Sequence, residues 1–487
     1  MLNTSFANVA RRCATRSSAL ALALAAMACS DFLDPDPKDV LAPENFYRTS
    51  SDAISAVNAA YEANRATYLL SFWYLSDIAT DDIVPGPRFG SDGQRMSAYT
   101  FDATDDFPIG DQWRANYRAI NRANAVIDRV PGITMDVALR DRLVAEARFL
   151  RAHDYFNLVR FFGDVPLVEH ETTSLQGLEL PRSPAADVYA FIIADLQAAA
   201  ATLPAEYPAS DVGRATSGAA LALLAKVYLQ QKDWANAAAT AGQVISSGTY
   251  ALNEDWKDNF RIAVELTNPE SIFEVNFDGS LTEGGGSVQT LFSLPDGYPG
   301  GDAFGIMSLT PDIIAQFEAN DERGLGGTFI TSPYINQQGD TVEWAQPPGP
   351  AYIKYLDQTN DQNTSSRSWV AQPNNWIVLR YADVLLIYAE AVANGGAATA
   401  GSALDALNAV RTRAGLGPFD ALTLDNVRGE RRREFVFEGQ RWFDLVRYGL
   451  LTPAIVAKTG NTPKADVFPV PQSERDLNPQ LTQNPGY

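Results

Sequence analysis

Apolar positions recur along this chain at two spacings, and the spacings lay out its elements. Ala145, Phe149, Ala152, Phe156 and Val159 stand four, three, four and three apart, a helical stripe that faces a core. Tyr155, Leu158 and Phe162 widen the stripe beyond one face, as in a helix packed on two sides within a stacked array. Arg148, Arg151, Asp154 and Arg160 are the polar positions left over, with Arg151 and Asp154 three apart on one surface. Gly163 stops this helix, and Asp164-Val165-Pro166 starts an extended segment.

The same period predicts other helices. Residues 51–66 place Ala53, Ala56, Val57, Ala60 and Tyr61 on one face. Residues 113–130 do so with Trp113, Tyr117, Ile120, Ala123 and Ile127. Residues 76–111 between them read as a long polar loop, and residues 187–203 as another helix. Within 216–245, Leu224, Ala225, Tyr228 and Ala237 stand where a tetratricopeptide repeat places its Leu, small residue, Tyr and Ala, and Asp233-Trp234 falls near the turn. The Ala-rich pair 388–393 and 402–413 is similar, which suggests a superhelix of helix pairs rather than separate domains.

Residues 271–370 change character. Ile272 to Phe277 alternates like a strand, and Gly284-Gly285-Gly286 and Gly300-Gly301 punctuate loops. Trp376 to Ala393 reads as one long apolar helix. Arg380, Asp383 and Glu390 argue against a membrane span, because each would be costly in lipid. Buried charges must pair, so Arg380 is expected on Asp383, and Glu390 on Arg411 or Arg413. The fold class is mainly α: a TPR-like helix-pair superhelix with a loop-rich ligand-binding segment and a few short strands.

Charge and cysteine placement narrow the function. Across 487 residues, 38 Lys and Arg against 59 Asp and Glu give a net charge of −21, which disfavours nucleic acid or an anionic membrane face as a partner. Cys13 and Cys29 are the only cysteines, so the body after Cys29 holds no disulfide and no thiolate metal site. With only His153 and His170 besides, no metal centre or cofactor is expected, and His153 reads as a helix-surface residue. Asp102, Asp105 and Asp106 are acidic enough for Ca²⁺ but lack EF-hand spacing.

The N-terminus is an export signal. Arg11, Arg12 and Arg16 precede an apolar run from Ala19 to Ala28, too short for a mature membrane helix. Ala26-Met27-Ala28-Cys29 resembles a bacterial lipobox, in which Cys29 is lipidated and becomes the new N-terminus; ordinary cleavage after Ala28 also fits. Removing residues 1–28 takes away three arginines and no acid, moving the net charge from −21 to −24. The acidic, Pro-rich Ser30 to Pro37 would be an extended tether.

These features fall in one order. The chain resembles the SusD/RagB family of outer-membrane nutrient-binding lipoproteins in the helix 145–162 with its exit Gly163-Asp164-Val165-Pro166-Leu167, in Asn45-Phe46-Tyr47, and in the helix 113–130. Further matches are Leu379-Arg380-Tyr381-Ala382-Asp383, Ala389-Glu390-Ala391, Arg413-Ala414-Gly415, Glu434, Glu438-Gly439, Arg441, Asp444-Leu445, Arg447, Val467-Phe468-Pro469-Val470-Pro471 and the terminal Asn484-Pro485-Gly486-Tyr487. The resemblance implies a signal peptide (1–28), an acidic tether (29–42), an N-terminal helical region (43–260) and a C-terminal region (261–487) with its loop-rich part at 271–370. It implies a non-enzymatic, lipid-anchored, surface-exposed lipoprotein of the outer membrane. Such a protein captures a glycan or peptide and acts as a lid on a TonB-dependent transporter.

A sugar ring stacks its C–H face on an aromatic side chain while polar groups bond its hydroxyls. Two loops offer such residues. Trp73, Asp82, Arg88 and Phe89 flank the acidic motif in the first, and the resemblance implies Arg and aromatic ligand contacts there. Phe292, Tyr298 and Trp344 lie in the second, Gly-rich segment. Two other readings compete. A helical glycoside hydrolase would need two convergent carboxylates, for which Asp81/Asp82 and Asp105/Asp106 are the acidic candidates. A protein-binding repeat scaffold would use the TPR-like face instead.

Overall fold

The computed structural model describes residues 46–487 apart from 175, 278, 280–286, 288–293, 297, 299–302, 337–338, 346–348 and 358–372. The export signal, Cys29, the tether, Phe292 and the glycine runs at 284–286 and 300–301 lie outside the described residues. Residues Thr49–Tyr487 make one compact unit.

Helix α1 (Ser50–Leu69) opens on a capping box: the Thr49 hydroxyl accepts from the Asp52 N–H at 3.2 Å, and Asp52 accepts from the Thr49 N–H at 2.8 Å. After α2 (Ser91–Ala98) and α3 (Asp111–Arg129) comes α4 (Val137–Phe162), capped by Asp136 on the Leu139 N–H at 2.8 Å. Gly163, at φ +72°, ends α4 where the sequence places the stop. Its last turns are met by the chain's own C-terminal motif. Asn484 donates to the Phe162 carbonyl at 2.9 Å, and the Phe468 N–H to the Phe161 carbonyl at 2.7 Å.

The stack continues through α5 (Ala185–Thr202), α6 (Ser217–Gln230), α7 (Trp234–Ser247), α9 (Tyr381–Ala393) and α10 (Ala403–Arg413), each packed on the one before, with the six-residue α8 (Pro311–Gln316) set aside. α1 rests on α3, which packs on α4. This is the expected array of helix pairs, with one contiguous core running through it. α5 is long and apolar enough to cross a membrane, but it turns Val188, Ile192, Leu196 and Ala199 inward as part of that core. Helices α11 (Leu424–Glu434), α12 (Arg441–Tyr448), α13 (Leu451–Thr459) and α14 (Gln472–Leu477) complete the C-terminal part.

Several expectations are corrected. Trp376–Arg380 is a strand, β8, and the helix begins only at Tyr381. A short apolar run does not distinguish the two states; what decides is β2 (Ser271–Val275), which pairs with β8 antiparallel and supplies its backbone partners. The polar stretch 76–111 is not a plain loop: it holds β1 (Ile83–Pro85), α2 and two π-helical turns. His153 is buried, not on the surface, and meets the Tyr68 hydroxyl at 2.6 Å. Burial, with Arg160 and Lys226 nearby, pushes its pKa down to about 3.

The charged partners also differ. Arg380 binds Glu270, Glu434 and Glu438 at 2.6–2.7 Å, while Asp383 binds Lys226 at 2.8 Å and Arg431 at 3.0 Å. Glu390 pairs with Arg447 at 2.9 Å; Arg411 goes to Glu318, and Arg413 to Glu270 and Glu434. Arg151 reaches Asp195 on α5 at 2.7 Å, and among the described residues Asp154 meets no hydrogen-bond partner on either oxygen. These partners lie on other elements, at separations that no local spacing reveals.

Candidate functional site

The loop-rich segment and the 76–111 stretch meet at a two-stranded ladder. β1 pairs with β3 (Met307–Leu309) antiparallel, with Ile83 opposite Leu309 and Pro85 opposite Met307. The Gly86 N–H extends the ladder to the Ile306 carbonyl at 2.6 Å. A side chain at Gly86 would meet the Ile306 and Gly305 carbonyl oxygens at 3.2 and 3.3 Å, so only glycine fits without a shift. Two more segments join this edge. The Gly305 N–H donates to the Leu294 carbonyl at 2.7 Å, and the Ser308 hydroxyl to the Pro350 carbonyl at 2.8 Å.

Beneath these loops lies a small second core of Leu294, Tyr298, Ile330, Val342, Ala351, Ile353 and Leu356. It is supported by the pairs β4 (Phe329–Ile330) with β7 (Ala351–Tyr352), and β5 (Tyr334–Ile335) with β6 (Thr341–Val342). Trp344 packs half-buried on its edge, with its indole N–H to the Gly349 carbonyl at 3.4 Å. The loops therefore stand on a packed platform of their own.

One exposed charge pair crosses the face. Arg88 meets Asp296 at 2.6 Å, and the two side chains are 54% and 46% exposed. Beside the Gly86–Ile306 rung, Phe304 is 38% exposed. Arg88 and Asp296 thus join two segments in one solvent-facing pair, and the Gly305–Leu294 bond brings the segment of Phe304 alongside; together they make the candidate ledge. Sequence reading missed Phe304 and Asp296. The available signals were an aromatic between Gly301 and Gly305, and the turn dipeptide Asp296-Gly297.

Three expected ligand aromatics are not open platforms. Trp73 and Phe89 are each 3% exposed, 6.3 Å apart between ring centroids, and Phe89 fills the space over Gly93. Tyr298 is buried in the second core. Burial of these large apolar rings secures the base of the ledge, so they support it from below.

Asp82, also expected at the ligand, is buried and holds the ledge in place. Arg432 on α11 binds Asp82 at 2.6 Å, Asp81 at 3.1 Å and Asp312 on α8 at 2.6 Å. Arg441 on α12 takes Asp81 at 2.8 Å. Burial opposes charge on Asp81, but Arg441 and Arg432 hold it below the ordinary carboxylate range. The Asp81 and Asp82 carbonyls accept from Thr310 at 2.8 Å, which ties β1 to the end of β3. Arg432 and Arg441 are residues that sequence reading did not attach to this site.

The hydrolase candidates are similarly occupied. Asp81 and Asp82 serve the arginines, Asp106 binds Arg114 at 2.7 Å, and Asp105 accepts from the Asp102 N–H at 2.7 Å. Asp102 itself accepts from the Thr104 N–H and hydroxyl in a local turn. Among the described residues, no three His, Cys, Asp or Glu side chains are grouped to hold a metal ion.

A profile of the SusD family matches residues 334–487, and one described as "Starch-binding associating with outer membrane" matches residues 31–229. A SusD-like protein of Bacteroides ovatus is 30% identical, over 89% of this chain and 82% of its own length. Among solved structures, a laminarin-binding SusD-like protein superposes with a TM-score of 0.78 at 28% identity, covering 91% of this chain and 100% of that one. Surface glycan-binding protein A from Bacteroides thetaiotaomicron, in complex with laminarihexaose, does so at 0.76 and 25% identity, covering 90% and 100%. On its fold, its two matched regions and this relative, the chain belongs to the SusD family.

Proposed function

We propose that the chain captures a glycan on the ledge of Arg88, Asp296 and Phe304 and delivers it, as a lid, to a TonB-dependent transporter of the outer membrane. The observation that carries this reading is the half-exposed Arg88–Asp296 pair, with the part-exposed Phe304 on the segment hydrogen-bonded alongside. The ring takes the C–H face of a sugar, and the charged pair offers donors and acceptors to its hydroxyls. Relatives named for laminarin and laminarihexaose make a β-linked glucan the first cargo to test. The anchor we propose is a lipid on Cys29 after removal of residues 1–28, with residues 29–42 as tether. No catalytic role is assigned.

The test is native electrophoresis of residues 30–487 through gels containing laminarin or other polysaccharides. Retardation by a glycan, strongly reduced in Arg88→Ala and Phe304→Ala, supports capture at the ledge. Absence of retardation by every glycan moves the cargo to a peptide. Release of reducing ends from a bound glycan would instead make the protein a hydrolase. Incorporation of labelled palmitate, abolished in Cys29→Ala, tests the anchor.

A further inference from the structure

A polar cleft separate from the ledge lies beside β2. It has a volume of about 650 Å³ and runs into a neighbouring hollow of about 270 Å³. That size suits a small polar ligand. Tyr207, Tyr250, Glu265, Glu274, Asn276 and Asn375 line it, and none of them belongs to the ledge.

Asn375 organises the polar wall. Its backbone N–H serves Glu265, and its side-chain amide donates to Glu274 at 2.9 Å. Its own amide oxygen accepts from the Phe277 N–H at 2.9 Å, which fixes the orientation of the side chain. The two carboxyl groups are therefore held as neighbours by neutral donors. Burial, then the nearby Glu274, pushes Glu265 up to about 8, and burial also raises Glu274. A carboxyl group that keeps its proton offers an O–H donor as well as an acceptor.

The arginines at the rim are already hydrogen-bonded. Arg214 binds Glu146 at 2.9 Å and Asp211 at 3.2 Å, and the Arg65 Nε–H donates to the Asn276 carbonyl at 2.8 Å. Tyr250 and Tyr207 are half-buried and supply the apolar wall, with Tyr250 packed over Gly218 so closely that a Cβ there would lie 2.5 Å from its hydroxyl.

We propose that this cleft is a second saccharide subsite, taking a neutral hexopyranose unit with its hydroxyl edge on Glu265, Glu274 and Asn276 and its C–H face on Tyr250. Aromatic wall, amide and paired carboxyls together match the donors, acceptors and apolar face of such a ring. Two subsites on one polysaccharide raise its apparent affinity above that of a short oligomer wherever one chain reaches both.

The experiment is calorimetric titration of residues 30–487 with laminarihexaose, cellohexaose and mannohexaose, in the wild type and in Arg88→Ala. The expected result is that Arg88→Ala still binds a hexaose, and that adding Glu274→Ala weakens this residual binding by about tenfold or more. Asn276→Ala is the second variant, because its side chain is exposed and the fold does not depend on it; the same direction is expected. The proposal is overturned if the Arg88→Ala chain binds none of the three at millimolar concentration. It is equally overturned if residual binding survives both Glu274→Ala and Asn276→Ala. Loss of the ledge alone shows separately, as wild-type binding that Arg88→Ala does not alter.

Discussion

Two regions of this molecule use the same chemistry, arginine against carboxylate, to opposite ends. At the junction of β8, α10 and α11, Arg323, Arg380 and Arg413 converge on Glu434, with Glu270, Glu430 and Glu438 around them, all essentially out of water. Burial alone would push Glu434 up, yet Arg413, Arg380 and Arg323 hold it well below the usual carboxylate range. At the ledge, Arg88 and Asp296 form one pair, about half exposed. Buried charges that pair only with one another fix which elements meet, and breaking them leaves a neighbour stranded. A half-exposed pair contributes little to folding, and its hydrogen-bonding groups remain within reach of a ligand. Burial, more than residue type, separates scaffold from site.

That contrast can be broken most forcefully at its buried end. Arg380→Ala removes the partner of three glutamates and is expected to cost ~3–5 kcal/mol, read by urea denaturation. A loss below ~1 kcal/mol would mean that the network is not holding the fold. Trp73→Ala is expected to cost ~3–5 kcal/mol as a core cavity, and Phe304→Ala within ~0.5 kcal/mol. Comparable losses for the two would erase the distinction between core and ledge aromatics. Arg432→Ala takes from Asp82 its close partner and leaves Asp81 to Arg441 alone, so glycan affinity should fall even though Arg432 sits behind the ledge; unchanged affinity would show that β1 needs no clamp.

A pH series sharpens the same contrast through His153. Its folded pKa is depressed to about 3, below the unfolded value of about 6.5, so the unfolded state binds more protons between those limits. The stability it contributes is present above pH ~6.5 and is lost as pH falls toward ~3. The stability gap between wild type and His153→Gln should therefore narrow over that window in denaturation curves. A gap that stays constant would place His153 in contact with water.

Particular residues show how much was legible beforehand. The stripe Ala145, Phe149, Ala152, Phe156 and Val159 and the stop at Gly163 marked α4, because helix period and cap are local properties. The pair α6 and α7 was legible for the same reason. β8 was not: Trp376–Arg380 is a strand only because Ser271–Val275, about a hundred residues earlier, lies beside it. Nor were the partners of Arg380 or Asp82, which come from other elements. At the site, Arg88 was legible as a loop cation, whereas burial separated Trp73 and Phe89 from the exposed Phe304. Which aromatic a fold leaves in water depends on tertiary packing.

The smallest expected effect on stability carries the most for function. Arg88→Ala should change unfolding free energy by no more than ~1 kcal/mol, since its pair is about half exposed. The most direct test of the ledge is the retention of laminarin by residues 30–487 and by Arg88→Ala, measured alongside their urea midpoints. The expected result is strong retardation of the wild type, much weaker retardation of the variant, and nearly equal midpoints. A variant as strongly retarded as the wild type, at equal stability, would contradict it.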